Sequence, residues 1–294
     1  MTMLANLFGY VLNFFYNLFN NYGIALIIFS IFLRIILLPI TIKQQKSMAK
    51  NTIIQEKKKE IKFKYKSDPE KMNKEIMGLY KQEKVSSFSG CLSSILQIII
   101  ILAVFYVVRS PLTFMKKIDS NVIEKYTNEI LEENNGQKSA YSEIEIIQKR
   151  GNDNQDVDIN MNFLGIDLSK VPTQNLEDIR TYIIPILYIV SSFISIRLSM
   201  NINNKDKKSI IEVNNNDEDK KELIKVDNKD DKKDISEEEA MQQMSKNMSF
   251  MMPLMSITIA VIAPLGLALY WLVSNILMII ERLFINKFLK EDNK

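Results

Sequence analysis

Ile24-Ala-Leu-Ile-Ile-Phe-Ser-Ile-Phe-Leu-Arg34-Ile-Ile-Leu-Leu-Pro39-Ile-Thr-Ile42 is an apolar stretch of nineteen residues with one charged side chain, Arg34. A helix of this length rises ~1.5 Å per residue and covers about 28 Å, close to the hydrocarbon thickness of a bilayer. An arginine within a span costs about 2.5–3.5 kcal/mol on insertion scales, and the neighbouring leucines and isoleucines can offset that cost. The stretch therefore predicts a membrane-spanning helix built around a functional charge.

The composition of the whole chain supports a membrane protein once its distribution is considered. Of 294 residues, 47% are hydrophobic and 25% charged, averages that by themselves suggest a soluble protein. The apolar residues are concentrated in a few blocks, however, and residues 1–33 contain no charged side chain. We therefore predict an all-α integral membrane protein. One cysteine excludes an internal disulfide, and the lack of histidine, phosphate loop or nucleophile–base pair argues against an enzyme, a metal and a cofactor.

Five apolar segments are long enough to be predicted as membrane spans. The last two share one uncharged run, 247–280, which is too long for one span, and Pro264-Leu265-Gly266 divides it into a tight hairpin. Each half is then a few ångströms shorter than the hydrocarbon core. The predicted spans are residues 22–42, 88–108, 179–199, 247–263 and 265–282.

The segments between the spans differ in composition. Residues 1–20 repeat apolar side chains every three to four positions without any charge, which predicts an interfacial amphipathic helix, with a spanning helix as the alternative. Residues 43–87 predict a helical hairpin, with Ser67-Asp68-Pro69-Glu70 as the stop and restart. This hairpin is either a plain connector or a docking arm for a partner. The remaining segments are an acidic insert with one short helix (109–178), a disordered loop (200–246) and a tail (283–294).

Lysine counts predict the orientation of the chain. Residues 43–84 contain 13 Lys and 6 acidic residues, whereas residues 110–178 contain 7 Lys or Arg and 13 acidic residues. By the positive-inside rule the first segment is cytoplasmic and the second external. Five spans then place the N-terminus outside and the C-terminus in the cytoplasm of a bacterium's plasma membrane.

Polar side chains form stripes on three of the predicted spans, and none of these stripes contains an acidic residue. We therefore expect Arg34 to face a wet cavity whose water solvates the guanidinium. The alternatives are that Arg34 pairs with Glu281 or extends to the cytoplasmic headgroups. The predicted groove residues are Ser30 and Arg34 on the first span, Ser94 and Gln97 on the second, and Tyr270, Trp271, Ser274 and Asn275 on the fifth.

Methionines are concentrated at the start of the fourth predicted span. Flexible thioethers at a membrane edge suit the binding of varied apolar segments, although a methionine-rich helix is more often ordinary core. We predict that they contact a substrate or partner on the cytoplasmic side. The residues are Met244, Met248, Met251 and Met252.

Several motifs, taken in order along the chain, resemble the YidC/Oxa1/Alb3 family of membrane protein insertases, in its short Gram-positive form. The resemblance covers all five predicted spans, which makes a chance match improbable. The motifs are Arg34 with Ile35-Ile-Leu-Leu-Pro39, Tyr65-Lys66-Ser67-Asp68-Pro69, Ser89-Gly90-Cys91-Leu92 with Gln97, Phe163-Leu164-Gly165-Ile166-Asp167-Leu168, Met251-Met252-Pro253-Leu254-Met255, and Gly266 to Asn275 with its Tyr270-Trp271 pair.

The resemblance implies a five-helix core with a hydrophilic groove that opens to the cytoplasm and to lipid. It assigns the groove arginine to Arg34, the polar wall to Gln97 and Asn275, and a mobile role to the cytoplasmic hairpin. This sequence departs from the family pattern in lacking the usual prolines on either side of the Gly-Cys motif. It also has Glu281 where glutamine is common.

The expected function is that of an insertase and chaperone for small membrane proteins. Burial of about 20 apolar residues of the substrate would supply the free energy, so no nucleotide hydrolysis is expected. The expected partners are nascent membrane proteins and the bilayer, with the ribosome and the Sec translocon as further candidates, no nucleic acid read directly, and a functional monomer. The alternatives are a transporter for an anionic solute and a non-catalytic assembly scaffold.

Overall fold

The computed structural model describes residues 2–65, 68–82, 89–152, 154–214 and 258–291. Within these ranges the chain is mostly α-helical, with one two-stranded sheet and short 3₁₀ and π turns. The all-α class predicted from the sequence is thus confirmed. The chain divides into two compact units, Met1–Met161 and Asn162–Lys294, and each is described by itself.

The N-terminal unit is built from six described α-helices and one π-helical turn. Helix α1 packs against α2, α4 and the π turn, and its fully buried side chains include Ala5 and Leu12. Edge-to-face ring pairs between Phe8 and Phe29 and between Phe15 and Phe32 join α1 to α2. The elements are α1 (Thr2–Phe19), α2 (Tyr22–Lys64), α3 (Pro69–Gln82), α4 (Ser89–Arg109), the π turn (Leu112–Lys116), α5 (Ser120–Glu133) and α6 (Ser142–Arg150).

Helix α1 carries apolar side chains on two faces. One face is buried against the rest of the unit, whereas the side chains of Met3, Leu7 and Phe14 are exposed on another. Asn6 and Asn17 are exposed as well. The location of this helix in the membrane interface stays a prediction.

Helix α2 is one continuous helix of 43 residues that passes through Pro39. It spans about 64 Å at ~1.5 Å per residue, so it continues well beyond the predicted end of the first span at residue 42. Asn21 caps its N-terminus, because the side-chain oxygen of Asn21 accepts a hydrogen bond from the backbone N–H of Ile24 at 3.1 Å. A single helix therefore leads from the apolar stretch into the lysine-rich segment.

Helix α3 packs on the lysine-rich half of α2, and Leu79 and Ile54 are buried. It begins at Pro69, a residue that suits the first helical position because it has no N–H to leave without a partner. The carboxylate of Asp68 accepts a hydrogen bond from the N–H of Lys71 at 3.1 Å. Asp68 therefore caps α3, within the predicted restart, of which Ser67 lies outside the described residues.

The acidic insert contains two helices, α5 and α6, where the sequence predicted one. The ion pairs of Lys149 (3.5 Å) and Arg150 with Glu133 join them. The carboxylate of Glu143 accepts hydrogen bonds from the backbone N–H (2.9 Å) and the hydroxyl (2.6 Å) of Thr113, which attaches α6 to the π turn. Burial raises the pKa of the Glu143 carboxyl, while these hydrogen bonds act in the opposite direction. Helix α6 has only nine residues and depends on these distant contacts.

The C-terminal unit begins with an antiparallel hairpin and continues through two 3₁₀ turns into α7 and α8. Helix α7 extends past residue 200, the predicted start of the disordered loop, because extending an existing helix costs less than starting one. The rest of that loop lies outside the described residues. The elements are β1 (Asn162–Phe163), β2 (Ile166–Asp167), the 3₁₀ turns Pro172–Gln174 and Ile179–Tyr182, α7 (Ile183–Asn214), a helical segment at 258–262, and α8 (Leu265–Glu291).

The helical segment 258–262 ends before Pro264, and α8 begins at Leu265. At the start of α8, the N–H of Leu265 donates to the carbonyl of Lys170 at 2.9 Å, and the N–H of Gly266 donates to that of Leu168 at 2.8 Å. The first N–H groups of a helix have no partner within the helix itself. The segment between β2 and α7 therefore supplies acceptors for the first N–H groups of α8, which follow the break at Pro264.

Three helices in the described part of the chain are long and apolar enough to cross a membrane. They are Tyr22–Gln44, Ile179–Leu198 and Leu265–Ile285, which coincide with the first, third and fifth predicted spans. The second predicted span lies on α4, where Ile98–Arg109 is a shorter apolar helix. Most of the fourth lies outside the described residues, so five spans remain a prediction.

Asp178 links the two ends of the segment that precedes α7. Its carboxylate accepts hydrogen bonds from the ammonium of Lys170 (3.0 Å) and from Nε of Arg180 (3.0 Å), and it caps the turn Ile179–Tyr182. These hydrogen bonds lower the pKa of the Asp178 carboxyl to about 2. The ionised carboxylate therefore stabilises this segment.

We predict that this stabilisation is lost as the pH falls from about 5 to about 2. The pKa of Asp178 is lower in the folded protein, so the unfolded chain binds the proton first and acid favours unfolding. Thermal unfolding of detergent-solubilised protein should show a weaker acid dependence in Asp178→Asn than in the wild type. Glu177→Gln, which removes the adjacent exposed carboxylate, is the control and should retain the wild-type dependence.

Gly9 provides a second test of the packing. A Cβ atom at this position would lie 1.9 Å from the carbonyl oxygen of Phe114, on the backbone of the π turn. We predict that Gly9→Ala destabilises the protein by about 1–3 kcal/mol because the backbone must shift. Gly78→Ala on α3, where a Cβ would meet nothing within 4 Å, should be neutral or stabilising by about 0.5–1 kcal/mol. Thermal unfolding in detergent compares the two, and equal midpoints would contradict the close approach.

Candidate functional site

On α2 the predicted groove residues Ser30 and Arg34 lie one turn apart. The Ser30 side chain is only 3% exposed, and its hydroxyl donates to the carbonyl of Leu26 at 2.7 Å. The Ser30 hydroxyl is therefore hydrogen-bonded to the backbone of its own helix. Arg34 is half-buried, and the side chains of Ile35 and Ile36 beside it are exposed. Arg34 thus lies between buried and exposed apolar residues of α2.

On α8 the buried Asn275 is the centre of a polar contact with α7. Asn275 is 7% exposed, and its Nδ2 donates to the hydroxyls of Ser191 (3.0 Å) and Ser192 (3.1 Å). The Ser191 hydroxyl donates in turn to the carbonyl of Tyr188 at 2.8 Å. Both amide protons of Asn275 therefore bind α7. In a membrane, hydrogen bonds of this kind contribute roughly 0.6–2 kcal/mol to the association of two helices.

Trp271 lies one turn before Asn275 and also contacts α7. Its ring and that of Tyr188 lie with their centroids 6.1 Å apart and tilted by 37°. Along the contact, the residue numbers rise in the same direction on both helices: Tyr188 lies beside Trp271, and Ser191 lies beside Asn275. Helices α7 and α8 therefore run parallel. Of the other two predicted groove residues on α8, Tyr270 is buried and Ser274 is half-buried.

The polar stripes predicted from the sequence did not include the α7 side of this contact. Ser191 and Ser192 are buried within the predicted third span, and Ser195, one turn later, is buried as well. Small polar residues spaced by three or four positions within a span are typical of helix–helix interfaces in membranes. That spacing was the available signal. Finding its partner, Asn275, required the packing of the two helices.

The remaining predicted residues differ in how much of them the structure describes. Ser94 and Gln97 lie on α4, in a part of the helix whose side chains are not described. The methionine cluster Met244, Met248, Met251 and Met252 lies outside the described residues. Glu281 is buried on α8. Among the described residues, no group of three or more Cys, Asp or Glu side chains is arranged to hold a metal ion.

We predict that Asn275→Ala weakens the packing of α7 against α8 by about 0.6–2 kcal/mol. Combining Asn275→Ala with the pair Ser191→Ala and Ser192→Ala should destabilise the protein by less than the sum of the two separate changes, because each of them removes the same hydrogen bonds. Unfolding in mixed micelles measures both. Ser195→Ala is the matched control and should be additive with Asn275→Ala; additivity of the serine pair would contradict the contact.

A sequence model of the family described as 60 kDa inner membrane protein matches residues 14–293 of this chain. The match therefore extends across both units and includes the three apolar helices of the described part of the chain that are long enough to span a membrane.

Among curated proteins, relatives described as membrane protein insertase YidC align with part of the chain. The protein of Caldanaerobacter subterraneus subsp. tengcongensis is 41% identical over 110 residues, which are 37% of this chain and 53% of that protein. The protein of Syntrophobacter fumaroxidans is 43% identical over 104 residues, 35% of this chain and 19% of that protein. The protein of Chloroherpeton thalassium is 36% identical over 102 residues, 35% of this chain and 17% of that protein. The alignments thus span about half of the first relative and less than a fifth of the other two.

Proposed function

This chain belongs to the 60 kDa inner membrane protein family, the YidC/Oxa1/Alb3 family, and on that premise we propose that it is a membrane protein insertase and chaperone. The observation that carries the proposal is the family match over residues 14–293. Its relatives are described as insertases. These relatives and its apolar helices together support a bacterial membrane protein. Its substrates are then nascent membrane proteins that enter the bilayer.

The proposed topology has five spans, with the N-terminus outside and the C-terminus in the cytoplasm. The parallel packing of α7 and α8 supports a span between them. A chain that crosses the membrane in α7 must cross back before it can cross again in the same direction in α8. The only segment available for that return is 199–264, which contains the predicted fourth span, 247–263. The lysine excess in residues 43–84 supports the cytoplasmic side for the hairpin.

In the proposed mechanism, Arg34 attracts the acidic or polar N-terminal tail of a substrate into a hydrophilic groove. Two opposite charges 4 Å apart attract by about 4 kcal/mol at an effective dielectric constant of ~20. Taking a carboxylate out of water costs several kcal/mol, so one arginine lowers the barrier for the tail without removing it. The half-buried position of Arg34, beside exposed isoleucines, supports a charge that a polar tail and an apolar segment can reach together.

The free energy of insertion comes from the substrate itself. Each buried methylene group contributes about 0.8 kcal/mol, so a segment of ~20 apolar residues exceeds the cost of one polar tail, and no nucleotide hydrolysis is needed. The proposed groove wall consists of Ser30, Ser94, Gln97, Tyr270, Trp271, Ser274 and Asn275. The methionines Met244, Met248, Met251 and Met252 contact substrates on the cytoplasmic side, where the ribosome and the Sec translocon are further partners of the monomer.

We predict that Arg34→Ala lowers the rate at which a small substrate with an acidic N-terminal tail is inserted by at least about tenfold. A loss of ~1.4 kcal/mol of attraction corresponds to a factor of ten in rate. Arg34→Lys should retain much of the activity, since it retains the positive charge. The assay is protease protection of the substrate tail in proteoliposomes that contain each variant.

Arg197→Ala, at an exposed arginine near the end of the α7 span, is the matched control and should insert the substrate at the wild-type rate. Full insertion by Arg34→Ala would exclude the charge mechanism. If wild-type proteoliposomes insert the substrate no faster than empty liposomes, the chain is an assembly scaffold and the insertase proposal is wrong.

A further inference from the structure

The hairpin β1–β2 has a leucine where the backbone favours other residues. Phe163 pairs with Ile166 and Asn162 with Asp167, so Leu164 and Gly165 form a two-residue loop. Their φ angles are +53° and +80°, and two positive φ values are the mark of a type I′ turn. The first position of that turn favours Asn, Asp or Gly, because a larger side chain at positive φ is strained.

No packing within the described part of the chain accounts for this leucine. The side chain of Leu164 is 86% exposed, so its apolar surface gains little from burial in the protein. Leu176 and Ile179, on the segment that follows, are 72% and 80% exposed. Asparagine would fit the same turn with less strain and better hydration. These three exposed apolar side chains would gain free energy from an apolar environment outside the protein.

The position of the turn indicates what that environment is. Nη1 of Arg180 donates to the carbonyl of Gly165 at 3.4 Å, which ties the turn to the residues at the start of the α7 span. The span itself begins at Ile179. Leu164 therefore lies beside the first turn of a helix that enters the bilayer. Arg180 and Lys170, both bound to Asp178, are the basic side chains expected at the level of the lipid phosphates.

We propose that the tip of this hairpin inserts into the lipid leaflet at the N-terminal ends of α7 and α8. Leu164, Leu176 and Ile179 enter the upper part of the acyl chains, while Arg180 and Lys170 bind lipid phosphates. The carbonyls of Leu168 and Lys170 accept the first hydrogen bonds of α8. The inserted tip therefore fixes the depth in the bilayer of both parallel helices. The inference rests on α7 spanning the membrane, as in the proposed topology.

The first test measures the depth of position 164 with a single tryptophan. Trp271→Phe removes the one native tryptophan, and Leu164→Trp is added in that background. The full-length protein is reconstituted in phosphatidylcholine–phosphatidylglycerol vesicles whose phosphatidylcholine is brominated in the upper or the lower part of the acyl chains. We expect blue-shifted emission that upper-chain bromine quenches more strongly than lower-chain bromine does. Phe193→Trp, exposed within the α7 span, should be quenched better by lower-chain bromine, and Lys138→Trp, exposed between α5 and α6, by neither.

The outcomes of this test separate the inference from the topology on which it rests. Emission from Leu164→Trp that is red-shifted and quenched by aqueous iodide would overturn the inference. A blue shift without quenching by bromine would mean that protein, such as a second copy of this chain, covers the tip, and that also overturns it. If Phe193→Trp escapes bromine as well, α7 does not span the vesicle membrane and the topology is wrong too.

The second test asks whether substitution of Leu164 speeds or slows hydrogen exchange at the turn. Hydrogen exchange of the backbone amides of residues 162–168 is measured in vesicles for the wild type, Leu164→Asn and Leu164→Met. Asparagine fits the turn better, so without lipid contact Leu164→Asn should slow the exchange or leave it unchanged, and either result overturns the inference. We expect several-fold faster exchange, because the tip leaves the bilayer. Leu164→Met keeps an apolar side chain of similar size and should exchange as slowly as the wild type.

Discussion

A bilayer core offers no water to polar groups, and the apolar helices of this chain are arranged to meet that constraint. The hydroxyls of Ser30 and Thr41 donate to carbonyls of their own helix, and Asn275 donates both amide protons to α7. Where the chain breaks before α8, the first N–H groups find acceptors on Leu168 and Lys170. Each of these groups would otherwise cost several kcal/mol in hydrocarbon. Hydrogen bonds rather than apolar attraction thus fix how α7 and α8 meet, since lipid is as apolar as the helices.

The same constraint gives Arg34 its significance. A serine can satisfy its hydroxyl within the helix, but a guanidinium has five N–H donors and cannot do so. A half-buried arginine within the otherwise apolar stretch of α2 therefore requires a polar environment, which a substrate groove would provide. The proposed insertase function uses this requirement. The charge of Arg34 makes the helix costly to insert, and the same charge lowers the cost of moving a substrate's polar tail across the membrane.

Ion pairs have different positions in the two units. In the N-terminal unit, Lys149 and Arg150 bind the acidic side chains of α5 and α6, which gives a helical lobe its shape outside the apolar helices. In the C-terminal unit, Asp178 gathers Lys170 and Arg180 at the start of a span. These pairs are partly exposed, where each contributes little alone, so their effect comes from acting as small networks. They position the short segments that connect the apolar helices.

Sequence alone determined where the apolar helices lie, because hydropathy and the restart at Pro69 and break at Pro264 are local properties of the chain. The apolar helices beginning at Tyr22, Ile179 and Leu265, which are long enough to span a membrane, could be predicted in this way, as could the single arginine within the first apolar stretch. Only the tertiary structure decided which polar residues meet. Asn275 binds Ser191, 84 residues away, and Glu143 attaches helix α6 to Thr113, 30 residues away. Such pairs depend on how helices pack, and no local pattern records that packing.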